Sequence, residues 1–230
     1  MTLTDHDHPV AEKPVALQLY WLSAIFGLLT LPALLLDSQL AVSISNWDRN
    51  TISLQLLDAF QFAGSLPVLL AVGIGILAFD RGARRKLLRL ATAMAMASLA
   101  CGLLKAIFSR QRPGDFDLDQ EIWNSFPGLF HSLTESQQGT SLLERSLGGF
   151  PSGHVTSAVV AAVGLGWLYP RGRWLCAVIA LAVAAQRIVF EHHFLSDLCA
   201  ATAIGTLAAG ILISPRAMGG WFNRFEQPGK

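Results

Sequence analysis

Pro151-Ser152-Gly153-His154 closes a long polar stretch and opens an apolar run from Val155 to Tyr169. Pro151 favours a turn into a helix, Ser152 is a natural N-cap, and Gly153 lets another group approach the backbone closely. The first amides of a helix have no internal partners and carry partial positive charge, so they suit an anion; His154 adds a proton donor on the first turn. Taken alone, the stretch is equally a capped helix start with an incidental histidine.

Charged residues on either side change that balance. Lys105 and Arg112 are seven residues apart, two helical turns, and share a face if the helix carrying them continues to Pro113. Arg187 lies two residues before the end of another apolar run. His193 and Asp197 stand at i and i+4, so the carboxylate can accept a hydrogen bond from the ring. Each alone reads as a snorkelling cation or a helix-end staple. Together, three cations and free amides describe a cage for a dianionic phosphate. An oriented imidazole is then a candidate nucleophile or base, and a second histidine a candidate acid.

These residues need a scaffold, and the composition says which kind. The 230 residues are 52% hydrophobic and 14% charged, against about 25% charged in an ordinary soluble domain. Six apolar runs follow one another: Val15–Leu36, Leu54–Phe79, Leu87–Phe108, Val155–Tyr169, Trp174–Val189 and His193–Ile213. The expected fold is all-α, a bundle of six transmembrane helices with a long external loop between the third and fourth. Asp37–Asn50 reads as a short interfacial segment, and Gly64 and Pro67 should bend the second run. The expected organisation is a cytoplasmic leader at 1–14, a membrane domain at 15–213 and a cytoplasmic tail at 214–230. The first run reads as a retained span, since no basic region precedes it.

Six spans place both ends on one side. The basic links Arg81–Lys86 and Arg171–Arg173 and the basic tail fall on that side by parity, which the positive-inside bias assigns to the cytoplasm. Lys105, the long loop, His154 and the link before His193 then face outward. The three cysteines, Cys101, Cys176 and Cys199, sit in apolar runs with no disulfide or metal-motif spacing.

Lys105-(six residues)-Arg112-Pro113, Pro151-Ser152-Gly153-His154 and Arg187-(five residues)-His193-(three residues)-Asp197 resemble the three signature motifs of the type 2 phosphatidic acid phosphatase family. Vanadium haloperoxidases and bacterial nonspecific acid phosphatases share them. The resemblance spans about Leu87 to Ile213. It implies that His193 attacks phosphorus to form a phosphohistidine, that Asp197 fixes its tautomer and that His154 protonates the leaving group. Lys105, Arg112, Ser152, Gly153 and Arg187 would hold the phosphoryl oxygens. No metal and no cofactor are implied. One departure is Gln186, where the family usually has serine; glutamine still offers a donor, so altered positioning is expected. His192 is off by one in both third-motif spacings and is left out.

The resemblance implies a membrane lipid phosphatase working in a bilayer, by analogy the bacterial inner membrane, with its site on the periplasmic face. Its substrate would be a phosphorylated lipid: undecaprenyl diphosphate, phosphatidylglycerophosphate, phosphatidate or a lipid A-type glycolipid. A phosphotransferase using the same intermediate is the alternative among enzymes. A non-catalytic lipid-phosphate carrier is the alternative outside them, and it would not need the His193–Asp197 pair. No nucleic-acid partner is expected, and oligomeric state is left open. In the long loop, Asp115–Glu121 lacks the glycine and glutamate spacing of a calcium loop. Trp123, Phe126, Leu129 and Phe130 are candidates to lie on the membrane surface or to cover the substrate headgroup; His131 reads as a loop histidine.

Overall fold

A computed structural model describes residues 8–49, 51–129 and 148–226. All regular structure among them is helical. In chain order the helices are α1 (His8–Ser45), α2 (Ile52–Asp58), α3 (Leu66–Phe79), α4 (Arg84–Phe108), α5 (Gly153–Leu168), α6 (Arg173–Val189), α7 (Leu195–Ile213) and α8 (Gly219–Glu226).

Helix α7 is the axis of the bundle. Alanine and glycine recur along it, and these small residues let neighbouring backbones approach. Its most apolar window is 72% buried, against 11% to 22% for the other three helices long and apolar enough to span a bilayer. Those three therefore turn much of their apolar surface outward, as a protein dissolved in lipid must. Leu28, Leu31 and Leu35 of α1 are among these outward side chains, and Phe79 at the end of α3 is exposed as well. This is an integral membrane protein. Helix α1 runs along α7, where the Tyr20 hydroxyl donates to the Gly210 carbonyl (3.2 Å) and the Ser23 hydroxyl to that of Ala203 (2.9 Å).

Four helices meet the length and hydropathy of a span, and the bent pair α2–α3 makes five if it counts as one. Helix α5, the fourth run of the sequence, is apolar but has only 16 residues. The bend falls where Gly64 and Pro67 predicted it: a 3₁₀ turn, Ala59–Gly64, leads into α3 at 64°. Gly64 is required there, since a Cβ would stand 2.5 Å from the His154 carbonyl oxygen. The break thus packs directly onto the start of α5.

Three sequence expectations are corrected. The segment after Asp37 is not a separate short one, because α1 continues through it to Ser45 with Asp37 facing inward and fully buried. Helix α4 does not reach Pro113. It ends at Phe108 with Ser109 in the left-handed region (φ 45°), and the chain is extended at Arg112 before a short turn at Pro113–Asp115. The last run becomes helical only at Leu195, so His193 lies in the link before α7.

The basic links meet at the opposite end of the bundle from His154 and His193. The Tyr169 hydroxyl donates to Asp80 (2.9 Å), Lys86 lies over the Trp167 ring, and Arg89 pairs with Glu226 (2.9 Å) and bonds Asn223. The described part of the long loop folds back over the other end. Phe116 packs edge-on to Phe194, and Phe126 to Phe150. Phe126 therefore faces the protein, while Trp123 and Leu129 are exposed. Phe130 and His131 lie outside the described residues.

Candidate active site

The two links that flank α5 and α7 are tied by backbone hydrogen bonds. Ser152 N–H donates to the Asp197 carbonyl (3.3 Å), Gly149 N–H to that of Arg110 (2.8 Å), and both His192 and His193 N–H groups to that of Arg187 (3.0 and 3.1 Å). These contacts bring all three sequence motifs to one end of the bundle, although the helical spacing argued for Lys105–Arg112 does not apply. Lys105 bonds the Gly148 carbonyl. The charges of Lys105 and Arg187 act on His154, and Arg112 acts on Lys105 and Arg187.

The His193 side chain is buried. Its Nδ1 lies 2.6 Å from the Gly149 carbonyl oxygen and 3.6 Å from Asp197 Oδ2. A carbonyl only accepts, so the bond assigns the proton to Nδ1 and leaves the lone pair on Nε2. Burial pushes the imidazole down to about 4, opposed by Asp197, so at neutral pH the ring is uncharged. The expected His193–Asp197 hydrogen bond is replaced by this arrangement. Asp197 Oδ2 instead accepts the Phe194 N–H (2.7 Å), closing the start of α7. Burial, then Arg187 and Arg112, also lower His192; the two neighbours differ in placement, not in the direction of that shift.

Ser152 stands at the N-cap position of α5, with extended backbone, but its hydroxyl makes no capping bond. Ser152 Oγ and Arg187 Nε are both buried without a hydrogen-bond partner among the described residues. Groups of this kind are costly unless a ligand completes them. They lie beside free helix-start amides, with Lys105 and Arg112 near, and a phosphoryl oxygen is the acceptor they fit. Gly153 is not forced by crowding, since a Cβ would sit 4.0 Å from Cys101 and Lys105. A cleft of about 440 Å³ opens at Lys105, Gly153 and His154, between α4, the start of α5 and the Gly64–Leu66 break.

Residues 86–218 match the family model of the PAP2 superfamily. The chain belongs to that superfamily. No curated protein and no solved structure gives a match. PAP2 membership brings phosphatase-type chemistry on phosphate esters, here in a membrane protein. Among the described residues, no three or more His, Cys, Asp or Glu side chains are grouped to share a metal ion.

Gln186 does not serve the site as a donor. It is fully buried and its amide donates to Asp58 Oδ1 (2.8 Å), tying α6 to α2. Sequence reasoning missed three residues. Gly149 supplies the carbonyl that holds His193, and a Cβ there would lie 2.8 Å from the carbonyl oxygens of Arg110 and Gln111. Arg110 and Asp37 form a fully buried ion pair (2.8 Å), and Arg110 also pairs with Asp197 (2.5 Å). Removing one member of such a pair costs about 3–5 kcal/mol. The signal was present: charges inside or at the ends of apolar runs are expensive and need a reason.

Proposed function

We propose that this PAP2 protein is a lipid phosphatase that hydrolyses a lipid phosphomonoester or diphosphate through a phosphohistidine. His193 Nε2 attacks phosphorus; the N–P bond forms as the bridging P–O bond breaks, and the leaving oxygen takes a proton from His154. Water then attacks phosphorus and returns a proton to His154. The N–P bond breaks, and phosphate leaves as the lone pair returns to Nε2. Asp197 supports the positive ring of the intermediate. Lys105, Arg112, Arg187, Ser152 and the Gly153 amide neutralise the equatorial oxygens, work that many phosphoryl-transfer enzymes assign to magnesium.

The observation that carries this reading is the buried, neutral His193, its Nε2 freed by the Gly149 carbonyl, at the end where the cations and the unpartnered Ser152 and Arg187 groups meet. The lipid class is supported by the cleft, whose walls are membrane helices. At 1.5 Å per residue α5 is about 24 Å long, shorter than a hydrocarbon core of about 30 Å. Counting α2–α3 as one bent span and α5 as a short one gives six. The clustering of Arg81–Lys86, Arg171–Arg173 and the tail then favours a cytoplasmic face for that end and a periplasmic face for the site.

The test is phosphate release by purified protein in detergent from phosphatidate, phosphatidylglycerophosphate, undecaprenyl diphosphate and a lipid A-type phosphate. Release from at least one is expected, and release from none refutes the reading. Transfer to an added acceptor in place of water would mark a phosphotransferase.

A further inference from the structure

We propose that Asp37, Arg110 and Ser196 form a positioning network that sets the charge and orientation of Asp197, and through it the reactivity of His193. This rests on the reading of His193 as nucleophile. Arg110 is sealed from solvent, and its guanidinium is held on four sides. Nη1 donates to Asp197 Oδ1 (2.5 Å) and Ser196 Oγ (2.7 Å), Nη2 to Asp37 Oδ2 (2.8 Å) and Nε to Ser125 Oγ (3.1 Å). The Phe126 and Phe194 rings lie 4.7 and 4.2 Å from its carbon. Asp37 in turn accepts the Ser196 N–H (3.0 Å) and hydroxyl (2.5 Å).

Two carboxylates therefore share one guanidinium. The layer carries a net charge of about −1 when both are ionised, and its open face is Asp197 Oδ2, 3.6 Å from His193 Nδ1. Attack on phosphorus makes the ring positive, so this residual charge favours the transition state more than the ground state. Were Asp37 neutral, Arg110 would cancel Asp197 alone and the layer would fall to zero. The phosphate-holding groups, Lys105, Arg112, Arg187 and Ser152, make none of these bonds. The network thus acts on the chemical step and not on substrate binding. Asp37 also lies outside the matched residues 86–218, on a helix the three motifs do not include.

The experiment compares Asp37→Asn with Tyr20→Phe and Ser23→Ala in the full-length protein. The last two remove other α1–α7 hydrogen bonds and leave Asp197 untouched. Asp37→Asn should lower kcat about 10- to 100-fold, the range for lost outer-shell partners, with KM within about 2-fold, while both controls keep wild-type kcat. Equal losses in all three would reduce Asp37 to a helix staple and overturn the proposal, as would a raised KM with unchanged kcat. If Asp37→Asn does not fold, Ser196→Ala replaces it, since it cuts the bridging hydroxyl and keeps every charge. It should lower kcat about 2- to 10-fold, and an unchanged kcat overturns the proposal. In parallel, ¹⁵N spectra of histidine-labelled protein, with His193 assigned by His193→Gln, should shift at His193 in Asp37→Asn or Ser196→Ala and not in Ser23→Ala. A wild-type protein that hydrolyses nothing refutes the phosphatase reading, and these spectra still decide the network: no shift overturns it.

Discussion

Replacing Gly149 by alanine should damage the site, and the same change at Gly148 should not. A Cβ at Gly149 would lie 2.8 Å from two backbone carbonyl oxygens, of Arg110 and Gln111, whereas one at Gly148 would meet only Lys105 Nζ, at 3.8 Å. Ordinary contact begins at 3.4 Å, so the alanine must open this packing by about 0.6 Å, against main chain that cannot rotate away. The Gly149 carbonyl oxygen holds His193 Nδ1 at 2.6 Å; the same displacement would lengthen that bond to about 3.2 Å, the edge of hydrogen-bond range. Overpacking of this kind costs about 1–3 kcal/mol, or about 2–12 °C in melting temperature for a chain of this size. Losing the bond that orients the nucleophile is worth about 0.5–1.5 kcal/mol, roughly 2- to 10-fold in kcat. Phosphate release from a short-chain phosphatidate in detergent, with thermal unfolding of the same samples, reads both. If the two alanine variants match in rate and in melting temperature, the packing of Gly149 between Arg110 and His193 does not control the ring.

Exchanging the neighbouring histidines separates placement from proximity: His193→Ala should abolish turnover while His192→Ala is mild, and equal losses in folded protein would overturn the assignment. The His193 ring must be neutral to attack, and its value of about 4 lies below the ordinary 6.5. The limb of kcat/KM that reports protonation of His193 should therefore be centred near pH 4; a His193 limb centred near 6.5 would contradict the buried placement. Vanadate, which becomes five-coordinate readily, should inhibit at low concentration while chelators do not; activity lost on chelation and restored by magnesium would sink the metal-free mechanism. Asp119 is exposed on the loop, so Asp119→Cys, in protein stripped of its native cysteines, should react with an impermeant thiol reagent in intact cells. Labelling only after membrane disruption would reverse the proposed sidedness.

The sequence motifs were legible because each is local: a turn before a helix, a cation at a helix end, a histidine four residues from an aspartate. Their convergence was expected from a count of six spans, whereas the structure has four helices long and apolar enough to span, or five with the bent pair, and joins the motifs through backbone bonds between the links. The bend at Gly64 and Pro67 announced itself through residue type. The helix bounds did not. Ser109 ends α4 in a left-handed turn that serine does not advertise, and α1 runs past Asp37 because that carboxylate has a partner waiting in the fold.

That partner explains what local reading cannot reach. Asp37 and Arg110 are 73 residues apart, and nothing near either names the other. Asp37 looked like the start of a polar segment because a lone carboxylate is too costly inside an apolar helix. Paired with Arg110 it is affordable, and the helix continues. The same logic holds for Arg89, buried in α4 and bonded to Asn223 and paired with Glu226 of α8. In each case the charge inside an apolar run marked a long-range contact rather than a helix end. Had Asp37 and Arg110 been treated as charges in need of partners, α1 would have been docked against the start of α7. The carboxylate behind His193 would then have been traced one residue further back, to Arg110.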